Sequence, residues 1–282
     1  PLTKDSIELN TALNFVRSDD PKFKKIPGIN QELDYIPADR LYYNVDSVAA
    51  AKALGGKTEG MVKQMMINLQ GKNALGKQEL TILDMLQTNN FERPIYYAIT
   101  VSPDQFVNLD RYFEQTGLAY QILPKDANKA INTEKMYDNV MNKFKWGGVD
   151  QPGVYIDENV MRMCKSYRMM LFNKLAEALI NEGKNDKALD ELDKCMQVLP
   201  PENIPLDYTA LSTGELYYVL GQKEKAEEVF TGIADDAIRT INWIFRLNPA
   251  QLASVESELQ HNLAVLNQVL VVSKHYNPEF GK

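Results

Sequence analysis

The chain has 282 residues, of which 44% are hydrophobic, so it is long enough to bury a sizeable core and is expected to form two domains. Its net charge of −7 excludes the basic surface that nucleic-acid-binding proteins use. The longest apolar run, around residues 263–272, is far shorter than the roughly 20 residues that span a bilayer.

Patterns in the first half of the chain indicate both strands and helices. Short runs rich in β-branched and aromatic residues predict strands at 41–45, 64–69, 95–101 and 118–123. Apolar periodicity predicts helices at 3–16, 49–54 and 78–88.

A further helix is predicted between the last two strands. Ser102 precedes Pro103, which is favoured at the first helical position, and Gly117 follows as a stop signal. Phe106 and Phe113 would lie on one face of this helix. A strand–helix–strand order implies a parallel strand pair with a right-handed crossover, and therefore a small α/β domain over residues 1–150.

Helical signals dominate the second half of the chain, which is expected to form a domain over residues 151–282. Thr133 is expected to cap a helix through Met136 and Val140, before a glycine- and proline-rich joint at 147–153. Asp157 opens a long helix, where its charge is favourable against the helix dipole. The predicted fold class is therefore α+β overall, with an all-α second domain.

Two stretches of the second half share one spacing of small residues. In the first, Ala176 and Ala188 flank a turn at Gly183, and in the second, Gly214 and Ala226 flank a turn at Gly221. Small residues are needed where two paired helices approach closely. After an Asn248-Pro249 break, helical spacing predicts a long closing helix; its apolar residues are Leu252, Val255, Leu259, Leu263, Leu266 and Val269.

This spacing resembles the tetratricopeptide repeat family over about residues 169–240. The resemblance implies that the first helix of each repeat lines a concave groove that binds a peptide or a protein partner. The groove positions are Met170, Asn173, Glu177, Ile180, Asn181, Tyr208, Leu211, Glu215, Tyr218 and Val219. Both tyrosines are expected to be partly exposed, and the alternative is that the closing helix fills the groove.

A second resemblance rests on residues 89–98, which read Asn-Asn-Phe-Glu-Arg-Pro-Ile-Tyr-Tyr-Ala, followed by Tyr112-Phe113, residues 117–120 and Pro124. They are similar to the soluble tail of a Bacteroidetes family of multi-spanning membrane proteins. That family is similar to type-C glycosyltransferases, with relatives proposed as protein O-mannosyltransferases. The resemblance implies a periplasmic or other extracytoplasmic location, and catalytic carboxylates on membrane-embedded segments rather than in this chain.

Candidate chemistry is sparse. His261 and His275 are about 21 Å apart along one helix, too far to share a metal ion or a catalytic triad. We expect Cys164 and Cys195 to be free thiols on separate helices, and we expect no metal, no cofactor and no catalytic residue.

Three functions remain open at this point. The leading hypothesis is a non-catalytic, extracytoplasmic interaction domain that positions a partner polypeptide for a glycosyltransferase-like membrane protein. The alternatives are a free-standing tetratricopeptide adaptor and, less favoured, a soluble enzyme that uses the α/β module. Because the sequence starts at Pro1 without a signal segment, we expect any membrane attachment to precede it; the oligomeric state stays open.

Overall fold

The computed structural model describes residues 6–26 and 31–280, and the chain divides into two units, Pro1–Asn132 and Thr133–Lys282. In the described residues, both β-sheets belong to the first unit and the second unit is helical. The predicted α+β class is confirmed.

The first unit contains two small sheets and three helices. The strands are β1 (Ile7–Glu8), β2 (Arg40–Asn44), β3 (Gln64–Asn68), β4 (Tyr96–Ala98), β5 (Phe113–Gln115), β6 (Ala119–Ile122) and β7 (Ala130–Ile131). The helices are α1 (Leu9–Arg17), α2 (Ser47–Ala53) and α3 (Lys77–Asn89). One sheet has the order β1-β2-β3 and the other β4-β6-β5-β7, so all four predicted strands are confirmed, as β2, β3, β4 and β6.

The three other predicted helices of this half are also present. Helices α2 and α3 occupy the predicted segments. The helix predicted over residues 3–16 corresponds to α1, which begins only at Leu9 because Ile7 and Glu8 pair in parallel with Leu41 and Tyr42 of β2. Residues 3–5 lie outside the described part of the chain.

The predicted helix after Ser102 is wrong. Two short 3₁₀ turns, Pro103–Phe106 and Asp110–Tyr112, occupy this segment and lead directly into β5. Val107 separates the turns with a left-handed backbone (φ 53°), which interrupts any helix. Strands β4 and β6 pair antiparallel, so the predicted parallel crossover is wrong too, and the first unit is not an α/β module of that kind.

A cluster of aromatic rings forms the core beside the second sheet. Phe113 lies 5.0 Å from Tyr97, 5.0 Å from Phe106 and 5.5 Å from Tyr120, measured between ring centroids. All four residues are at most 7% exposed. The segment after Ser102 therefore adopts a conformation that brings both Phe106 and Phe113 into this cluster, in place of the helix that its local signals predict.

The second unit consists of consecutive helices joined mostly by short turns. They are α4 (Thr133–Asp138), α5 (Glu158–Tyr167), α6 (Lys174–Asn181), α7 (Asn185–Val198), α8 (Leu211–Val219), α9 (Lys223–Ile244), α10 (Pro249–Ser254) and α11 (Glu256–Tyr276). The sequence places the domain joint at residues 147–153, whereas the second unit begins at Thr133. Helix α4 belongs to this unit because it packs on α6, and its Thr133 hydroxyl donates to Glu182.

Helices α5 and α6 are joined by a π-helical segment, Arg168–Asn173, into one continuous helical run. Asp157 caps its start as predicted, accepting hydrogen bonds from the backbone N–H groups of Asn159 and Val160. The Arg168 guanidinium is fully buried and donates to the carbonyl oxygens of Leu199 (3.4 Å) and Ile204 (3.2 Å). Arg168 therefore ties this run to the loop that follows α7.

The predicted turns at Gly183 and Gly221 are confirmed, and each glycine has φ 74°, a left-handed conformation that L side chains rarely adopt. Turns this short make α6 and α7, and likewise α8 and α9, antiparallel neighbours. The close approach predicted at Gly214 is also present, since a Cβ there would lie 2.8 Å from a ring carbon of Phe230. The small-residue spacing therefore reports real helix contacts.

The C-terminal segment forms two helices instead of the single predicted closing helix. Asn248 caps α10 and accepts hydrogen bonds from Ala250 and Gln251, and the chain breaks again at Val255 before α11. Helix α11 packs on α9. Among the six apolar residues of the predicted helix, only Val269 is buried, while Leu263 is 45% exposed.

Candidate functional site

A cleft of about 510 Å³ opens between α6 and α8 in the second unit. The residues that line it come from the run through the π segment into α6 and from the facing helix α8. They are Met169, Asn173, Lys174, Glu177, Ile180, Asn181, Ser212, Glu215, Leu216 and Val219.

An unpaired amide group lies in the wall of the cleft. Asn173 is 6% exposed, and its Oδ1 accepts a hydrogen bond of 2.8 Å from the Thr213 hydroxyl of α8. Its Nδ2 has no hydrogen-bond partner among the described residues. A buried amide donor without a partner is costly, and because Nδ2 itself is buried, a ligand carbonyl or carboxylate oxygen would satisfy it only after the side chains that cover it move aside.

The rest of the cleft combines an acidic rim with apolar contact area. Glu177 and Glu215 are exposed on facing helices, and Lys174 is the one cation among the described lining residues, so the carboxylates are in excess. Ile180, on α6, and Val219, which is 50% exposed at the end of α8, provide apolar surface. This arrangement suits an extended polypeptide with a basic side chain.

Six of the ten predicted groove residues line the cleft: Asn173, Glu177, Ile180, Asn181, Glu215 and Val219. Met170, Tyr208, Leu211 and Tyr218 do not line it. Their role in binding, like that of the other six, stays a prediction.

Four lining residues are not among the predicted groove positions: Met169, Lys174, Ser212 and Leu216. Each is adjacent in sequence to a predicted groove residue. On the first wall the shift has a physical cause, because the π segment Arg168–Asn173 adds a residue to one helical turn and rotates the side chains around it. Standard helical spacing carries no signal of such a segment.

The two predicted groove tyrosines differ in exposure. Tyr208 is 47% exposed, as expected, and its ring meets the edge of His261 at 5.0 Å. Tyr218 is only 9% exposed, so the expectation that it faces solvent is wrong. Its ring is stacked between Phe230 at 5.7 Å and Tyr276 at 5.0 Å, because the last turn of α11 covers this end of α8.

Reactive groups in the second unit are held in unreactive surroundings. Cys164 and Cys195 are free, as predicted, and both are buried. Burial raises the pKa of the Cys195 thiol to about 12, which keeps it protonated at neutral pH. Within residues 6–26 and 31–280, no group of three or more His, Cys, Asp or Glu side chains is arranged to hold a metal ion.

Comparison with known proteins concerns the other end of the chain. Residues 2–142 match the family model described as TMEM260-associated domain 2. No curated protein and no solved structure matches the chain. The matched residues comprise the first unit and α4, so the cleft lies outside them. In the part of the chain that the structure describes, no helix is both long enough and apolar enough to cross a membrane.

Proposed function

The chain belongs to the TMEM260-associated domain 2 family, which is linked to a family of membrane proteins, and we propose that it is a non-catalytic interaction domain of a glycosyltransferase-like membrane protein. In this proposal the domain lies on the extracytoplasmic side and positions a partner polypeptide. The family membership supports the link to a membrane protein. The similarity of residues 89–98 to the soluble tail of glycosyltransferase-like proteins supports the finer assignment.

The helical unit is proposed to be the partner-binding part, built as a short tetratricopeptide array. Two features support this interpretation. Consecutive helices pair through left-handed glycine turns, and Gly214 lies where α8 and α9 approach most closely, as the repeat spacing requires.

The observation that carries the proposal is the unpaired Asn173 amide in a cleft with an acidic rim. An extended peptide has a carbonyl oxygen at every residue, so its backbone would accept a hydrogen bond from Asn173 Nδ2 once the side chains that cover this atom move aside on binding. A lysine or arginine side chain of the same peptide would meet Glu177 and Glu215, and its neighbours would contact Ile180 and Val219. The cleft is therefore proposed to bind a basic, extended segment of the partner.

A direct test is to follow the side-chain amide resonance of Asn173 by NMR while a peptide is added. The probe is a capped hexapeptide with one central lysine, compared with the same peptide carrying glutamate at that position. We expect the lysine peptide to shift the resonance downfield and the glutamate peptide to bind at least about tenfold more weakly, which corresponds to about 1.4 kcal/mol.

Matched variants distinguish the contribution of the two rim carboxylates to binding from the effect of the overall charge of the protein. Glu177→Gln combined with Glu215→Gln should weaken binding of the lysine peptide, because it neutralises the rim without changing its shape. Glu228→Gln removes an exposed carboxylate of α9 outside the cleft and should leave binding unchanged. Equal binding of both peptides, or binding that survives the double substitution, would contradict the proposal.

A further inference from the structure

Helix α11 carries apolar side chains on two faces, centred roughly 110° apart around the helix axis. The inner face packs on α9 and includes Val265, Val269 and Val272, which are each at most 9% exposed. The second face carries four leucines, Leu259, Leu263, Leu266 and Leu270, which we name the leucine stripe. Leu263 and Leu270 are each 45% exposed, whereas Leu259 and Leu266 are partly buried.

The leucine stripe is continuous. Its members are separated by four, three and four residues, the spacing that keeps side chains on one side of a helix. Single exposed leucines are ordinary on protein surfaces, but a contiguous stripe indicates a contact with another molecule.

Opposite charges stand at the two ends of this face. Glu256 lies seven residues before Leu263, and Lys274 lies four residues after Leu270, so both project on the side of the stripe. They are 18 residues apart, which is about 27 Å along the helix. Both are exposed, and neither forms an ion pair with another described residue.

We propose that the leucine stripe is the contact of a two-fold symmetric dimer, in which α11 of one copy packs antiparallel against α11 of a second copy. With the symmetry axis near Val265, Glu256 of each copy faces Lys274 of the other, and the two stripes overlap along their full length. Antiparallel packing also brings opposite ends of the helix dipoles together. Parallel packing would place Glu256 against Glu256 and Lys274 against Lys274, so the charges select the antiparallel arrangement.

The dimer is expected to be weak. One helix face provides less than the roughly 800 Å² per partner that a standard interface buries, so we expect dissociation constants of about 10 to 500 µM. This inference is independent of the peptide-binding proposal, because the stripe lies on α11 and the cleft between α6 and α8.

The test is sedimentation equilibrium of the complete chain over a range of concentrations. Glu256→Lys and Lys274→Glu should each weaken self-association about tenfold, because every attractive pair becomes repulsive. An equimolar mixture of the two variants should regain dimers, since both end contacts of a mixed dimer again join a lysine to a glutamate. The double variant Glu256→Lys with Lys274→Glu should dimerise like the original chain.

Two further variants keep this test specific. Glu228→Lys makes the same charge change on α9 and should leave the dissociation constant unchanged. Leu263→Ser with Leu270→Ser should abolish dimers while the thermal unfolding temperature stays close to that of the original chain, because both side chains are exposed.

Three results would overturn the proposal. One is a chain that stays monomeric up to about 1 mM, which is weaker than any dissociation constant expected here. Another is a mixture of the two charge variants that does not regain dimers. The third is a monomeric chain that binds vesicles of phosphatidylcholine and phosphatidylglycerol through Leu263 and Leu270, which would make the stripe a membrane contact.

Discussion

The cores of the two units differ in the side chains that form their closest contacts. In the first unit, large rings from β4, β5, β6 and the turn Pro103–Phe106 meet around Phe113, which is fully buried. In the second unit, helices approach each other at buried small residues such as Ala188, Gly214 and Ala226. The second core also buries large side chains such as Phe172 and Phe230, but its helix contacts need small residues at the points of closest approach.

The units also treat buried carboxylates differently. In the first unit, Glu79 pairs with Lys72, and Glu114 pairs with Lys125. In the second unit, Glu191 of α7 is fully buried, and neither of its carboxyl oxygens has a hydrogen-bond partner among the described residues. Burial raises the pKa of Glu191 well above its ordinary value, which favours the neutral form of this side chain. The buried carboxylates Glu79 and Glu114 of the first unit are thus each paired with a lysine, whereas Glu191 of the second unit has no such partner among the described residues.

The largest expected effect tests the ring cluster of the first unit. Phe113→Ala should lower the free energy of unfolding by about 3 to 5 kcal/mol, because it leaves a cavity among three other rings. Urea unfolding followed by tyrosine and tryptophan fluorescence would measure it. Tyr96→Ala, which removes a 44% exposed ring from β4, is the control and should cost less than about 1 kcal/mol. Similar losses for both variants would show that the cluster is not the main support of this unit.

The next effect concerns the buried carboxyl group of the second unit. Because the folded-state pKa of Glu191 lies above the ordinary value of 4.5, its stabilising contribution is fully present below pH 4.5 and is lost as the pH rises through the folded-state pKa. Each unit by which burial raises this pKa costs about 1.4 kcal/mol at alkaline pH. We therefore expect Glu191→Gln to be more stable than the original chain at pH 8, with little difference at pH 4.

Thermal unfolding at a series of pH values would measure this effect. Glu228→Gln, at an exposed position of α9, should show no comparable pH-dependent gain. A Glu191→Gln variant whose stability follows that of the original chain at every pH would mean that Glu191 is ionised in the folded protein, with a partner that compensates its charge.

The smallest expected effect tests the close helix contact. Gly214→Ala places a Cβ 2.8 Å from the Phe230 ring, and this overpacking should outweigh the better helix propensity of alanine, for a net loss of about 1 kcal/mol. A double-mutant cycle with Phe230→Leu would measure the coupling by urea unfolding. In the leucine background the cost of Gly214→Ala should disappear, since the clashing ring atoms are gone. An unchanged cost in both backgrounds would place the strain elsewhere.

Elements that depend on contacts between residues close in sequence are predicted well, and those that depend on contacts between separate elements are predicted poorly. Helices of the second unit are predicted well, because helical periodicity and the turns at Gly183 and Gly221 are local signals. The segment after Ser102 is predicted wrongly, because capping signals act within one helical turn while the rings of Phe106 and Phe113 pack together and against Tyr120 of β6. Burial of large aromatic rings stabilises the fold more than helix capping does, so it decides the conformation of this segment.

The lining of the cleft follows the predicted positions only in part, for a similar reason. Offsets of four, three and one residues along a regular helix place Glu177, Ile180 and Asn181 in this lining together with Asn173. The offsets fail at Met170, where the π segment rotates the helix, and at Tyr218, where Tyr276 arrives from far along the chain to cover it. Neither the π segment nor the contact with Tyr276 can be recognised from the spacing of apolar residues.

The sequence by itself determined the α+β class, the positions of most strands and helices, and the small residues at helix contacts. These depend on backbone propensity and on side-chain periodicity, which are properties of neighbouring residues. Only the tertiary structure decided how the strands pair, and which face of α11 packs inward. Helix α11 has apolar residues on two faces, so its periodicity favours neither. Packing on α9 buries the valines and leaves Leu263 and Leu270 of the leucine stripe exposed.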